Sequence, residues 1–315
     1  MVRFAATRLV AALPVLLLVS LVSFSVMHLI PGDPASVIAG PAATNQEIEA
    51  IRHALGLDRP FLEQMAAWYW HVLQGDFGRS ILLNTTVWQA VVDRLPVTFS
   101  LSVLALLMTI AVGVPAGVLA ALRANTAVDA AVTGMALLGV SVPSFWLALM
   151  LIVLFSVILE WLPTGGYVPF AESPLDWFRS LLMPSVSLAL LQIGLLARIT
   201  RATMLEVLRQ DYVRTARAKG LPRLMVIGKH ALKNVMVPVI TVIGISFGLL
   251  LSGSIVIETV YSLPGIGRLL ATSIFGRDYP VIQGTLLLTA TMLVLVNLAV
   301  DLLYAAIDPR VRYGR

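Results

Sequence analysis

An all-α membrane protein with six transmembrane helices is what this 315-residue chain predicts, on three observations. Hydrophobic residues make up 58% of it and charged residues only 12%, against about 25% charged in an average soluble domain. Six apolar stretches approach or exceed the roughly 20 residues that cross a hydrocarbon core. The basic residues fall between those stretches, where they orient a membrane protein. A net charge of +5 could suggest nucleic acid, but its placement in loops between apolar runs fits membrane orientation better, so the expected surroundings are a lipid bilayer and no nucleic acid. Cysteine is absent, which excludes disulfides, thiolate metal sites and cysteine nucleophiles.

The first apolar run, Leu9–Ile30, is too long for the core of a secretory signal and leads directly into Pro31-Gly-Asp-Pro34. Residues 1–30 are therefore expected to remain as the first transmembrane helix. Residues 31–93 differ in composition and form an expected extracytoplasmic helical insert between helices 1 and 2. The insert carries Asp33, Glu47, Glu49, Asp58, Glu63 and Asp76, a short helical stretch over Ile48–Leu57, and the aromatics Trp68, Tyr69 and Trp70. Such aromatics gather at membrane–water boundaries, which suits either a cap on the outer headgroups or a contact for a substrate-delivering protein. The further spans are expected at Val97–Leu122, Val132–Leu159, Leu181–Leu196, Val237–Ile257 and Val281–Leu303. The fourth is the shortest. A membrane core over 94–306 and a tail over 307–315 complete the division.

Assigning alternate loops to alternate sides puts fifteen Lys and Arg on one side and seven on the other. Four of the seven lie in the long insert, where the bias counts least. Both termini are thus expected in the cytoplasm, as is the loop between the fourth and fifth spans. That loop holds nine of the 22 basic residues within 198–233. Leu205, Leu208, Tyr212 and Ala216 recur at steps of three and four, which predicts one amphipathic helix with Arg214 and Arg217 away from its apolar stripe. Gly220 supplies a left-handed helix end, and Pro222 disfavours helical geometry at Leu221. A second helical piece, Leu224–Val235, carries Lys229, His230, Lys233 and Asn234. A loop serving orientation alone needs neither this length nor this order.

Several chemistries are excluded or weakened. A phosphate-binding loop requires a glycine-rich turn ending Gly-Lys-Ser or Gly-Lys-Thr. The nearest match, Gly228-Lys-His230, has His in place of the hydroxyl residue and Arg223 in place of the first glycine. No catalytic residue is expected, and His28, His53, His71 and His230 are too scattered to form a helix-based metal pair. Ionisable residues deep in spans are costly and usually functional. Asp301, one turn after Asn297, is the clearest such residue read from the sequence, too little to favour an ion-coupled secondary transporter. Small residues in Gly113-Val-Pro-Ala-Gly117 and Gly244-Ile-Ser-Phe-Gly248 suit close helix packing, and Pro115 and Pro143 lie in or near spans. Ser141, Ser246, Ser252 and Ser254 are candidate pathway residues, because polar uncharged walls pass a zwitterion without trapping it.

The stretch Arg214-Thr-Ala-Arg-Ala-Lys-Gly220, followed by Val237-Pro238, resembles the cytoplasmic signature of ABC importer permeases, specifically the dipeptide, oligopeptide and nickel permease family. That signature begins Glu-Ala-Ala and ends Leu-Pro; the arginine and threonine here match the peptide branch. Pro31-Gly-Asp-Pro34, Leu55-Gly-Leu-Asp-Arg-Pro60, Gly75-Asp-Phe-Gly-Arg-Ser80, Ser141-Val-Pro-Ser-Phe-Trp146, Trp161-Leu-Pro163, Leu263-Pro-Gly-Ile-Gly267, Arg277-Asp-Tyr-Pro-Val-Ile282 and Asp308-Pro-Arg310 extend the likeness along the chain. The resemblance implies a type I ABC importer permease fold in the cell inner membrane, forming half of a pathway for di- or oligopeptides. Nickel chelates and glutathione are alternative cargoes. Implied partners are a second homologous permease, one or two ATPase subunits that hold ATP and Mg, and an extracytoplasmic substrate-binding protein. No cofactor is expected on this chain itself. The resemblance also implies that residues 206–235 couple to the ATPases, through Tyr212, Arg214, Thr215, Ala216, Arg217, Ala218, Lys219, Gly220, Pro222 and Pro238. Gly220→Asp or Ala216→Glu would then block transport by adding bulk and charge at the docking face.

Overall fold

A computed structural model of the protein describes residues 2–29, 33–40, 43–54 and 56–307. Among these the secondary structure is helical, apart from one isolated bridge between Arg79 and Thr86. The helices are α1 (Val2–Leu29), α2 (Pro34–Ala39), α3 (Asn45–Ala54), α4 (Phe61–Leu73), α5 (Val87–Val92), α6 (Leu95–Leu122), α7 (Ala127–Ser141) and α8 (Ser144–Leu151), which runs on as a π-helix over Ile152–Ile158. There follow α9 (Pro174–Leu208), α10 (Asp211–Ala218), α11 (Arg223–Met225) with a π-helical turn over Val226–Ala231, α12 (Leu232–Val260), α13 (Ile266–Gly276) and α14 (Tyr279–Ile307).

Four stretches are single helical runs long and apolar enough to cross a membrane: Val87–Leu122, Pro174–Leu208, Arg223–Val260 and Tyr279–Val300. The first expected span falls in α1, whose 28 residues would extend about 42 Å. The third differs from expectation. Instead of one helix over Val132–Leu159, the chain bends by 100° between α7 and α8. Pro143 explains the break: it excludes the preceding residue from helical geometry, and Val142 is extended at φ −84°, ψ 122°. The fourth, expected to be the shortest, lies in α9, a continuous α-helix of 35 residues. Ser173 starts it, accepting from the Asp176 N–H at 3.3 Å and donating to the Asp176 carboxylate at 2.8 Å, with Pro174 at the first helical position.

The chain divides into two compact units. One comprises Val97–Pro264 and the chain from Ala299 onward. Here α9 is the organising element, packed against α7, α8 and α12. One apolar core joins Leu101, Leu181, Leu188, Leu250, Ile257 and Tyr261. A second joins Leu196, Met204, Val213, Val226, Val235 and Val239. Glycines allow the close approach: a Cβ on Gly194 would come within 2.5 Å of the Ala136 carbonyl oxygen, and one on Gly117 within 2.4 Å of the Ala197 carbonyl oxygen. The contact at Gly117 is the close packing that the small-residue spacing of Gly113 and Gly117 suits.

The other unit comprises Val2–Pro96 and Gly265–Leu298, so the segment read as an insert shares a unit with α13 and the beginning of α14. Its core holds Val87, Ala90, Val91, Ile266, Leu269 and Val281. Ser80 and Asp278 lock it from within. The Ser80 hydroxyl donates to the Asp278 carboxylate at 2.5 Å, the Leu82 N–H donates to the same oxygen at 3.1 Å, and the Leu83 N–H donates to the Ser80 hydroxyl at 2.8 Å. Two motifs 198 residues apart in sequence, Gly75–Ser80 and Arg277–Ile282, thereby become one buried knot. Near the start of the unit, Thr44 and Glu47 cap α3 reciprocally: the Glu47 carboxylate accepts from the Thr44 N–H at 2.8 Å, and the Thr44 hydroxyl accepts from the Glu47 N–H at 3.4 Å.

Candidate functional site

The basic segment between α9 and α12 is folded, although not as the single amphipathic helix that the apolar spacing predicts. Leu205 and Leu208 belong to α9, whereas Tyr212 and Ala216 belong to α10, with a break at Arg209 and Gln210. The expected stripe is real only in part. Ala216 is 7% exposed and Val213 fully buried, but Tyr212 is exposed. A period of 3.6 read across a break assigns faces wrongly, because the turn resets the helical phase. The Tyr212 hydroxyl instead accepts from Asn234 Nδ2 at 2.9 Å, which ties the start of α10 to the base of α12.

Beyond α10, Gly220 adopts φ +76° with open space around the position of a Cβ, and Pro222 precedes α11 in extended geometry. The expected turn is present. The expected second piece is also helical, and it continues without interruption into the fifth span as one run, Arg223–Val260. Pro238 lies inside α12 on an exposed position. Val213 and Ala216 share a core with Met204 and Val207 of α9, Val226 and Ala231 of the π-helical turn, and Val235 and Val239 of α12. The segment has an apolar interior continuous with the bases of two spans.

Its outer surface is chemically distinct. Arg214, Thr215, Arg217, Ala218, Lys219, Gly220 and Pro222 are all exposed. Leu224 is 86% exposed, beside the exposed Met225. Arg214 lies 3.7 Å from Asp211 in an exposed pair that contributes little. The burial of Ala216 changes one expectation: Ala216→Glu would place a charge in the segment's own interior and would not act at a docking face. Gly220→Asp meets no neighbouring atom, so its internal cost is confined to the left-handed backbone.

The four candidate pathway serines do not share a face. Ser141 is exposed at the end of α7 and lines a cavity of about 340 Å³ at the α7–α8 break, together with Pro143, Ser187, Gln192 and Gly253. Ser252 is also exposed, its hydroxyl donating to the Leu249 carbonyl. Ser246 and Ser254 are buried, the first donating to Gln192 Oε1 at 3.2 Å and the second to the Leu251 carbonyl. The Asp301 side chain lies outside the described residues.

Two polar arrangements escaped the sequence reading. Asp129 in the first turn of α7 receives both the Nε and an Nη of Arg201 on α9, at 2.5 and 2.6 Å, and also accepts from the Asn125 N–H at 2.9 Å. This two-pronged pair joins the start of the broken span to the end of α9 that leads into the basic segment. Glu258 near the end of α12 is fully buried and accepts from the Thr98 hydroxyl at 2.7 Å. A signal existed for both: Asp129 is the only carboxylate between Asp93 and Glu160, and Glu258 the only one between Asp211 and Asp278.

Comparison with known proteins agrees along the chain. Residues 113–313 match the family described as binding-protein-dependent transport system inner membrane component, and residues 1–102 match the N-terminal membrane component of such systems. The chain is 52% identical over 306 residues to a putative peptide transport system permease protein of Brucella abortus (strain 2308), covering 97% of this chain and 98% of that protein. It is 46% identical to a probable peptide ABC transporter permease protein of Sinorhizobium fredii (strain NBRC 101917 / NGR234), with 97% and 98% covered. With the dipeptide transport system permease protein DppB of Escherichia coli (strain K12) it shares 41% identity over the full length of both chains. Among solved structures it is similar to an inward-facing form of the MetNI methionine ABC transporter, with a TM-score of 0.59 and 18% identity over 70% of this chain and 97% of that one. That likeness concerns the fold.

Proposed function

This chain belongs to the family of binding-protein-dependent transport system inner membrane components, and we propose that it forms half of the pathway by which an ATP-driven importer admits di- or oligopeptides. It is a multi-pass permease subunit of an ABC importer. The second half of the pathway would come from a homologous permease, the cargo from an extracytoplasmic binding protein, and the energy from one or two ATPase subunits bearing ATP and Mg. Both termini and the basic segment would face the cytoplasm, following the charge asymmetry.

One observation carries the coupling role: the interior of the basic segment is continuous with α9 and α12. Force applied to a tether dissipates in its flexibility, whereas force on a packed element is passed to whatever shares its core. An ATPase gripping α10, Gly220 and α11 would therefore move Met204 and Val207 on one span and Val235 and Val239 on another. Exposed Leu224 and Met225 of α11, with the exposed Arg214, Arg217 and Lys219 of the α10 segment, would form the surface it holds. An apolar anchor inside a charged rim is the usual anatomy of a protein contact. If the serines line the passage, Ser246 and Ser254 must be uncovered by movement of α12 against its neighbours. That is an expected consequence of such levering.

The test is reconstitution of the assembled complex in proteoliposomes with a Leu224→Asp variant. ATP-dependent dipeptide uptake and co-purification of the ATPase should both fall at least tenfold, with the thermal stability of the permease unchanged because Leu224 supports nothing inside the chain. Unaltered uptake would overturn the coupling surface. Uptake by this chain alone under an ion gradient would overturn the importer reading itself.

A further inference from the structure

The unit containing α1 to α5, α13 and the first part of α14 carries a half-open cavity of about 530 Å³. Its wall is largely apolar and aromatic, with contributions from Phe24, Leu57, Trp68, Ile81 and Pro280. Phe24 and Trp68 stand 5.7 Å apart between ring centroids. Four groups able to carry positive charge also line it, His53, Arg59, His71 and Arg79, and among the described residues no carboxylate does. The nearby acids are already engaged. Asp58 holds His53 at 2.8 Å, while Asp76 accepts from the Gly78 N–H at 2.9 Å and lies 3.6 Å from His71. Arg59 and Arg79 form no ion pair among the described residues.

Tyr279 adds an independent observation. It lines the same cavity and is 2% exposed, while its hydroxyl is buried away from solvent and has no hydrogen-bond partner among the described residues. A buried polar group without a partner costs about 1–3 kcal/mol. Gln283, 6% exposed in the same wall, donates through Nε2 to the Phe24 carbonyl at 3.2 Å, which leaves its Oε1 to accept.

We infer that this cavity binds a small carboxylate with an apolar body, of the kind presented by the C-terminal end of a short peptide with a large apolar side chain. The carboxylate meets the guanidinium groups of Arg59 and Arg79, whose planar forks match its geometry. The apolar side chain lies against Phe24 and Trp68, and Gln283 Oε1 is left to accept from the peptide's polar atoms. The volume falls in the usual range for small-molecule sites, as does the combination of an apolar wall with a few convergent polar groups. The choice of a peptide rests on the import reading; the carboxylate and the apolar body rest on the cavity alone.

The experiment uses the full chain in nanodiscs without ATP or partner proteins. Ala-Phe and its C-terminal amide are titrated against it, with tryptophan fluorescence and isothermal calorimetry as readouts. The free acid should bind saturably and the amide at least tenfold more weakly. The pair Arg59→Gln with Arg79→Gln should weaken binding of the free acid by about tenfold or more. Saturable binding of acetyl-phenylalanine, which keeps the carboxylate and apolar body but shortens the backbone, would also support the site. No saturable binding of any carboxylate, or equal binding of acid and amide, would overturn it. Because ATP plays no part, failure here is distinct from failure of ATP-driven uptake in the assembled complex.

Discussion

Replacing Gly117 by alanine tests the packing on which the coupling proposal depends. The added Cβ would lie 2.4 Å from the Ala197 carbonyl oxygen, 2.7 Å from Thr200 Cβ and 3.0 Å from the Arg201 amide nitrogen. Two of the three atoms are backbone of α9, so no side-chain rotation relieves the contact. Restoring an ordinary carbon–oxygen separation requires α6 and α9 to part by roughly 0.8 Å, and overpacking of this kind costs about 1–3 kcal/mol. The gain in helix propensity from glycine to alanine returns up to about 1 kcal/mol, leaving a net loss of up to about 2 kcal/mol. Gly134 on α7 is the internal control, because a Cβ there meets nothing within 4 Å; Gly134→Ala should be neutral or stabilising. Thermal unfolding of both variants in nanodiscs, followed by tryptophan fluorescence, separates them by the sign of the shift. A Gly117→Ala protein as stable as Gly134→Ala would refute the close α6–α9 approach.

Two further outcomes follow from the other unit. Asp278→Ala removes the acceptor of the Ser80 hydroxyl and the Leu82 N–H, a loss of roughly 3 kcal/mol for a buried charged acceptor; limited proteolysis should accelerate within residues 80–86, and an unchanged rate would contradict the knot. The Glu47 carboxylate is held below its ordinary value of 4.5 by the Thr44 N–H and then the Thr44 hydroxyl. A depressed carboxylate stabilises the folded state above its ordinary value and loses that contribution as pH falls through the lower folded value. The protection factor for amide hydrogen exchange at the start of α3, taken against the intrinsic rate at each pH, should therefore fall below about pH 4.5 in the native protein and stay flat in Glu47→Gln. Equal profiles for the two proteins would count against the cap.

Much of this architecture is legible from composition and order. Apolar run length predicts where the helices cross, because a hydrocarbon core leaves the backbone few alternatives, and Gly220 with Pro222 predicts the turn beyond α10. The bend at Val142 was less legible, since a span tolerates a proline when its surroundings satisfy the freed groups, as α6 does at Pro115. The faces of the basic segment were misassigned at Tyr212 because periodicity assumes an unbroken helix.

Local patterns in the chain were enough for the membrane class, the kinship with importer permeases and the existence of an ordered basic elbow, because hydropathy and short motifs are properties of neighbouring residues. Which atoms meet across long separations was settled only by folding. Ser80 with Asp278, Asp129 with Arg201, and the cavity that gathers Arg59, Arg79 and Tyr279 are distant in sequence. The physical reason is that partners of buried polar groups are chosen by helix packing, which brings together residues far apart in the chain in a register that a local pattern does not specify.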